Sequence, residues 1–191
     1  MGVDMEHLFA AFKTRAEAVS AEVHRFATLA EARTFIAGFL HDAGVSAEPD
    51  CGAVWAAGSL LGPGGPDPLL AQVPGLTFEV TTASAAAARV GVSQLDWAIA
   101  GTGTLVQDAT EVAKRLVSTL PPIHLAVIGT GRILGSLGEV LQRLRPDQVN
   151  CISFITGPSR TADIERVLTI GVHGPARLVI VAVDGFEQGA A

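Results

Sequence analysis

Two stretches of this chain gather residue types that hold anions. One is Gly157-Pro158-Ser159-Arg160-Thr161, which follows the apolar run Cys151 to Ile155 and leads into Ala162-Asp163-Ile164-Glu165. A Gly-Pro break at a strand end exposes backbone N–H groups, Ser159 and Thr161 add hydroxyls, and Arg160 offers a planar fork of donors that matches a carboxylate or phosphate. The same run also reads as a helix start, with Ser159 or Thr161 as the cap and Asp163 and Glu165 complementing the positive end of the dipole. Arg160 separates the two readings, because a cap has no use for it. The second stretch is Gly101-Thr102-Gly103-Thr104, after the apolar Trp97 to Ala100. Its glycines let the backbone come close to a ligand, and Thr102 and Thr104 supply hydroxyls. A tight bend or bulge within a strand pair accounts for the same residues.

The histidines divide by surroundings. His173 sits in Gly171-Val172-His173-Gly174-Pro175, a loop composition that gives the access needed for ligand binding or proton transfer. His124, at a strand start just after Pro121-Pro122, reads as a packed core residue. The candidate ligand-binding set is therefore Thr102, Gly103, Thr104, Gly157, Ser159, Arg160, Thr161 and His173, with no residue assigned to catalysis. Other chemistries fail on spacing. Gly129-Thr130-Gly131-Arg132 with Gly135 falls short of the dinucleotide fingerprint, and no acidic residue ends the following strand, which closes Ser153-Phe154-Ile155-Thr156. Gly58-Ser59-Leu60-Leu61-Gly62 and Gly135-Ser136-Leu137-Gly138 miss the nucleophile-elbow spacing of serine hydrolases. Cys51 and Cys151 are the only cysteines and stand far apart. A cluster needs about four thiolates and structural zinc a set of four ligands, so no metal or cofactor is expected within this chain.

The elements that must position these residues follow from periodicity. Leu8, Phe9, Phe12, Ala16 and Val19 form the stripe of an amphipathic helix from Met5 to about Val19. A strand is predicted over Glu22 to Ala27, a helix over Leu29 to Ala43 stopped by Gly44, and a buried strand over Ala53 to Ala57. The Gly/Pro-rich run Gly58 to Gly75 reads as a surface loop. Further strands are expected at Thr77 to Thr81, Trp97 to Val106, Ile123 to Ile128, Cys151 to Ile155 and Leu178 to Val183, with helices at Ala83 to Val90 and Ile133 to Leu144. Strands alternating with helices predict a single α/β domain built on a largely parallel sheet covered by helices. In open sheets of this kind ligands gather at the carboxyl ends of the strands, where both candidate stretches are expected. The N-terminal helix over residues 1–21 precedes the main domain, 22–184, and a short tail covers 185–191.

Bulk properties narrow the partners. A chain of 191 residues is long enough to bury about 70% of its unfolded surface without disulfide or metal staples. Its net charge of −6 and sparse aromatics exclude a nucleic-acid-binding surface. Asp4, Glu6, Lys13 and Arg15 interrupt any apolar leader, and the longest aliphatic run, Leu178 to Val183, is far below the roughly 18 residues of a membrane span. A soluble cytoplasmic protein with reduced thiols is expected.

Three ordered segments carry a family resemblance. Ala98-Ile99-Ala100-Gly101-Thr102-Gly103-Thr104-Leu105-Val106, then Arg115 to His124 with its Pro-Pro, then Ile155 to Glu165 with Gly171-Val172-His173-Gly174-Pro175, resemble the signatures of the LUD domain family, in particular its lactate utilization protein C branch. The resemblance runs from Glu22 to Asp184 and is strong from Asp96 onward. It implies the fold shared by sugar-phosphate isomerases and CoA transferases. It also implies an accessory subunit of a system that oxidises L-lactate to pyruvate, with iron–sulfur clusters carried by partner subunits and a small anionic metabolite bound here. His124 and His173 both match signature positions. One departure stands out: Gly101 replaces the glutamate of the family's usual Glu-Thr-Gly-Thr. An autonomous enzyme resembling CoA transferases or sugar-phosphate isomerases is the alternative, and without that glutamate its nucleophile or base would have to come from Asp163, Glu165 or His173.

Overall fold

The computed structural model describes residues 2–56, 70, 72–144, 147–162 and 168–186. The chain opens with helix α1 (Gly2–Ala18), strand β1 (Ala21–Phe26) and helix α2 (Leu29–Asp42). Thr28 starts α2 through a reciprocal capping box: its hydroxyl accepts the Glu31 N–H at 3.2 Å, and the Glu31 carboxylate accepts the Thr28 N–H at 3.3 Å. β2 (Ala53–Trp55), β3 (Leu76–Thr77), the short helix α3 (Thr82–Ala87) and β4 (Val90–Gln94) follow. Next come β5 (Trp97–Ile99), β6 (Thr104–Asp108), α4 (Val112–Thr119) and β7 (Ile123–Gly129). A 3-10 turn over Thr130–Arg132 leads to β8 (Ile133–Leu134), α5 (Leu137–Leu144) and β9 (Ile152–Ile155). β10 (Arg160–Ala162), β11 (Leu168–Ile170) and β12 (Arg177–Val183) complete the order.

Six strands in the order β1-β12-β7-β4-β2-β3 form an entirely parallel sheet. Alternation along its central strands splits the core into two faces. Leu125, Val127, Val181 and Val183 point to one, where Ala32, Ile36 and Leu40 of α2 cover them together with Trp55. Ala126, Ile128, Leu178, Ile180 and Ala182 point to the other. That second face is not covered by helices alone. Phe9, Phe12 and Ala16 of α1 share it with Ala98 and Leu105 of a second, four-stranded sheet, β8-β5-β6-β9. α3 and α4 cover the remainder through Ala85 and Val117. Phe12 is wholly buried, and a fully buried Phe contributes about 1.5–3 kcal/mol, so α1 belongs to the core. α5 closes the outer face of the second sheet with Val140 and Leu144 against Trp97, Ile99 and Val106.

Several local expectations change. Trp97 to Val106 is a hairpin, β5 and β6, rather than one strand, so the Gly101 stretch is the tight bend. Val90 ends no helix; it begins buried strand β4. The Thr77 to Thr81 strand shrinks to the two-residue β3. The helix expected after Gly157 is absent among the described residues, where Arg160–Ala162 pairs antiparallel with Leu168–Ile170 instead. Hydroxyl and acidic residues favour turns as readily as caps, and here the pairing partner decides. Most of the predicted Gly58 to Gly75 loop, and Asp163 and Glu165, lie outside the described residues.

Candidate functional site

The turn between β5 and β6 is closed from within. The N–H groups of Thr102 and Gly103 both donate to the Ile99 carbonyl, at 3.3 and 2.9 Å, and the Gly101 N–H donates to the Gly135 carbonyl at 3.2 Å. These amides are therefore committed to the turn and form no anion cradle. The hydroxyls behave differently. Thr102 Oγ1 lies 2.7 Å from Thr104 Oγ1, which lies 2.9 Å from Thr156 Oγ1 at the end of β9. Thr104 is buried at the centre of this chain of three, and Thr102 and Thr156 are exposed at its ends.

Ser159 extends the same surface to the third stretch. Its N–H donates to the Pro175 carbonyl at 2.8 Å, and its carbonyl accepts the Gly171 N–H at 2.9 Å. All three sequence stretches thus meet at one joint, with the His173 ring exposed on its loop. The joint packs on the end of α1. Gly103 (φ +66°) and Gly157 (φ +72°) are both left-handed, and a Cβ on either would lie 2.4 Å from backbone, the Ala16 nitrogen and the Val19 carbonyl oxygen respectively. Arg160 Nη2 donates to the Val19 carbonyl and to Ser20 Oγ, each at 2.8 Å. Arg160 thereby tethers the turn between α1 and β1.

The position of the joint is a correction. Val19 and Ser20 immediately precede β1, and the Gly171 to Ala176 loop immediately precedes β12, so the joint borders the amino ends of the parallel sheet. Gly101 and Thr156 do follow the carboxyl ends of β5 and β9, but those strands belong to the second sheet, which runs in its own direction. His124 is wholly buried on β7, its Nε2 2.7 Å from Ser93 Oγ and its Nδ1 without a partner. Burial pushes its pKa down to about 4.

Sequence reasoning missed the polar cluster at the carboxyl ends of β1, β7 and β12. Arg25 Nε contacts both Asp184 carboxylate oxygens at 3.0 and 3.1 Å, and its Nη1 contacts both Glu6 oxygens at 2.8 Å. The Arg25 guanidinium lies 4.6 Å from the Phe9 ring centroid, and the Thr130 hydroxyl donates to Asp184 at 2.8 Å. Hydrogen bonds to Glu6 and then Asp184 raise the Arg25 pKa further. The one available signal was position: Thr130 and Asp184 each follow an aliphatic strand directly.

Among the described residues no group of three or more His, Cys, Asp or Glu is placed to hold a metal, and no helix is long and apolar enough to cross a membrane. The family model of the LUD domain matches residues 9–183. The chain belongs to the LUD domain family. A lactate utilization protein C from Macrococcus caseolyticus is 38% identical over 103 residues, 51% of this chain and 45% of that protein. The Bacillus subtilis lactate utilization protein C is 33% identical over 103 residues, 51% of this chain and 43% of its own. The matched stretch thus spans less than half the length of these relatives. A crystal structure of a DUF162 family protein from Deinococcus radiodurans superposes with a TM-score of 0.68, covering 94% of this chain and 98% of that one at 21% identity. That similarity establishes a shared fold. Within this LUD domain the joint ties together parts of the first and third signature segments, Thr102 and Thr104 with Thr156, Ser159, Gly171 and Pro175.

Proposed function

We propose that this LUD domain protein is an accessory subunit of a system that oxidises L-lactate to pyruvate, docking on iron–sulfur partner subunits and binding a small anionic metabolite. The carrying observation is the joint: Thr104 to Thr156 brings the hairpin turn of the second sheet onto the segment that Ser159 ties to Gly171 and Pro175, on one surface. The similarity to lactate utilization protein C relatives supplies the system. With the turn amides committed internally, the joint presents hydroxyls, the His173 ring and the half-exposed Val172 and Ile170, a mixed polar and apolar surface suited to a protein partner. In this reading the electron-carrying clusters sit in the partners, and the chain supplies recognition in the cytoplasm.

Affinity purification of the tagged chain from its native host grown on L-lactate tests the reading. Iron–sulfur proteins should co-purify with the wild type and be lost with Val172→Glu, a change on an exposed side chain. Purification of the intact chain without them would contradict the accessory role.

A further inference from the structure

Arg25 stands where an open parallel sheet receives its ligands, at the carboxyl ends of neighbouring strands β1 and β12 beside the start of the turn after β7. Its guanidinium is fixed before any ligand arrives. Nε is held by both oxygens of Asp184, the Phe9 ring lies under the plane, and Asp184 is itself fixed by the Thr130 hydroxyl and by its own N–H to the Phe26 carbonyl at 2.9 Å. A planar fork held on one edge presents its other donors in a set direction, the preorganisation that carboxylate recognition requires.

The group now meeting that face is of a different kind. Glu6 places both carboxylate oxygens 2.8 Å from Nη1, yet its side chain is 64% exposed, against 34% for Asp184 and 25% for Arg25. One carboxylate is built into the fold and the other reaches in from the solvent side of α1. Exposed ion pairs are weakly held, so Glu6 is readily displaced.

We propose that Arg25 anchors a binding site for a small monocarboxylate, and that the Glu6 carboxylate is an internal stand-in that the ligand displaces. The fixed negative charge of Asp184 disfavours dianions such as phosphate or a dicarboxylate. The carboxylate class follows from the geometry; naming the ligand as L-lactate or pyruvate rests on the proposed function.

Titration calorimetry on the full chain with L-lactate, pyruvate, acetate and inorganic phosphate tests the site, with thermal melts confirming that each variant is folded. Glu6→Gln should tighten binding of the monocarboxylates about 2- to 5-fold, the scale of an exposed pair released. Adding Arg25→Gln should weaken binding by about 10-fold or more, and phosphate should respond to neither change. If Arg25→Gln does not fold, Glu6→Gln alone decides. Tightening with acetate but no preference for lactate or pyruvate would support the site and count against lactate as its ligand. Monocarboxylate affinity unchanged by Glu6→Gln would overturn the site, leaving Glu6 as an anchor of α1, whatever system the protein serves.

Discussion

His124 Nε2 and Ser93 Oγ lie 2.7 Å apart on neighbouring strands β7 and β4, and both side chains are wholly shielded from solvent. The pair is neutral in the folded protein, because nothing compensates a charged imidazole there: Nδ1 has no partner. An unfolded chain takes up a proton below its ordinary pKa of 6.5, whereas the folded one resists until about 4. Stability from this residue is therefore complete above pH 6.5 and falls as the pH drops toward 4. At about 1.4 kcal/mol per pH unit the loss approaches about 3 kcal/mol. Urea denaturation across that range should show the decline, and His124→Leu should flatten it. An equally steep decline in the variant would assign the acid sensitivity to other groups.

Gly103→Ala and Gly157→Ala each force a side chain into left-handed backbone and against the end of α1. Each should cost more than about 1 kcal/mol, since neither the conformation nor the space tolerates a Cβ. Gly103 presses on Ala16 in the last turn of α1 and Gly157 on Val19 just beyond it, so the double variant should lose less than the sum of the two. Thermal melts of the three variants measure this, and strict additivity would mean that the two glycines do not share α1 as a common partner.

The fold was legible where pattern is local. The capping box at Thr28 and Glu31 and the alternating or aliphatic runs at Ala21–Phe26, Ile123–Gly129 and Leu178–Val183 announce α2, β1, β7 and β12 without help from tertiary structure. β4 was hidden because the alanines of α3 run almost directly into Val90, and a short buried strand has no amphipathic signature. Thr102, Thr104 and Ser159 of the joint stood out by residue type, whereas Thr156 did not, because only its contact with Thr104 across the second sheet brings it in. The joint's place at the amino ends was not legible either, because that depends on α1 folding back onto the second sheet. Arg25 and Asp184 are separated by 159 positions, and no local rule pairs them.

Arg160→Ala should act on stability and local order rather than on anion affinity. The guanidinium gives its Nη2 donors to Val19 and Ser20, an exposed tether contributing about 1 kcal/mol. Hydrogen exchange should quicken around Val19 to Ala21 in the variant, with the remainder of the sheet unchanged. A large loss of lactate or pyruvate affinity with normal exchange there would return Arg160 to the ligand.

The role in lactate utilization is tested most directly by growth of the native host on L-lactate as sole carbon source after removal of this chain. The account predicts that growth on L-lactate is lost, growth on pyruvate is kept, and the wild-type chain restores the former. Undiminished growth on L-lactate without the chain would contradict it.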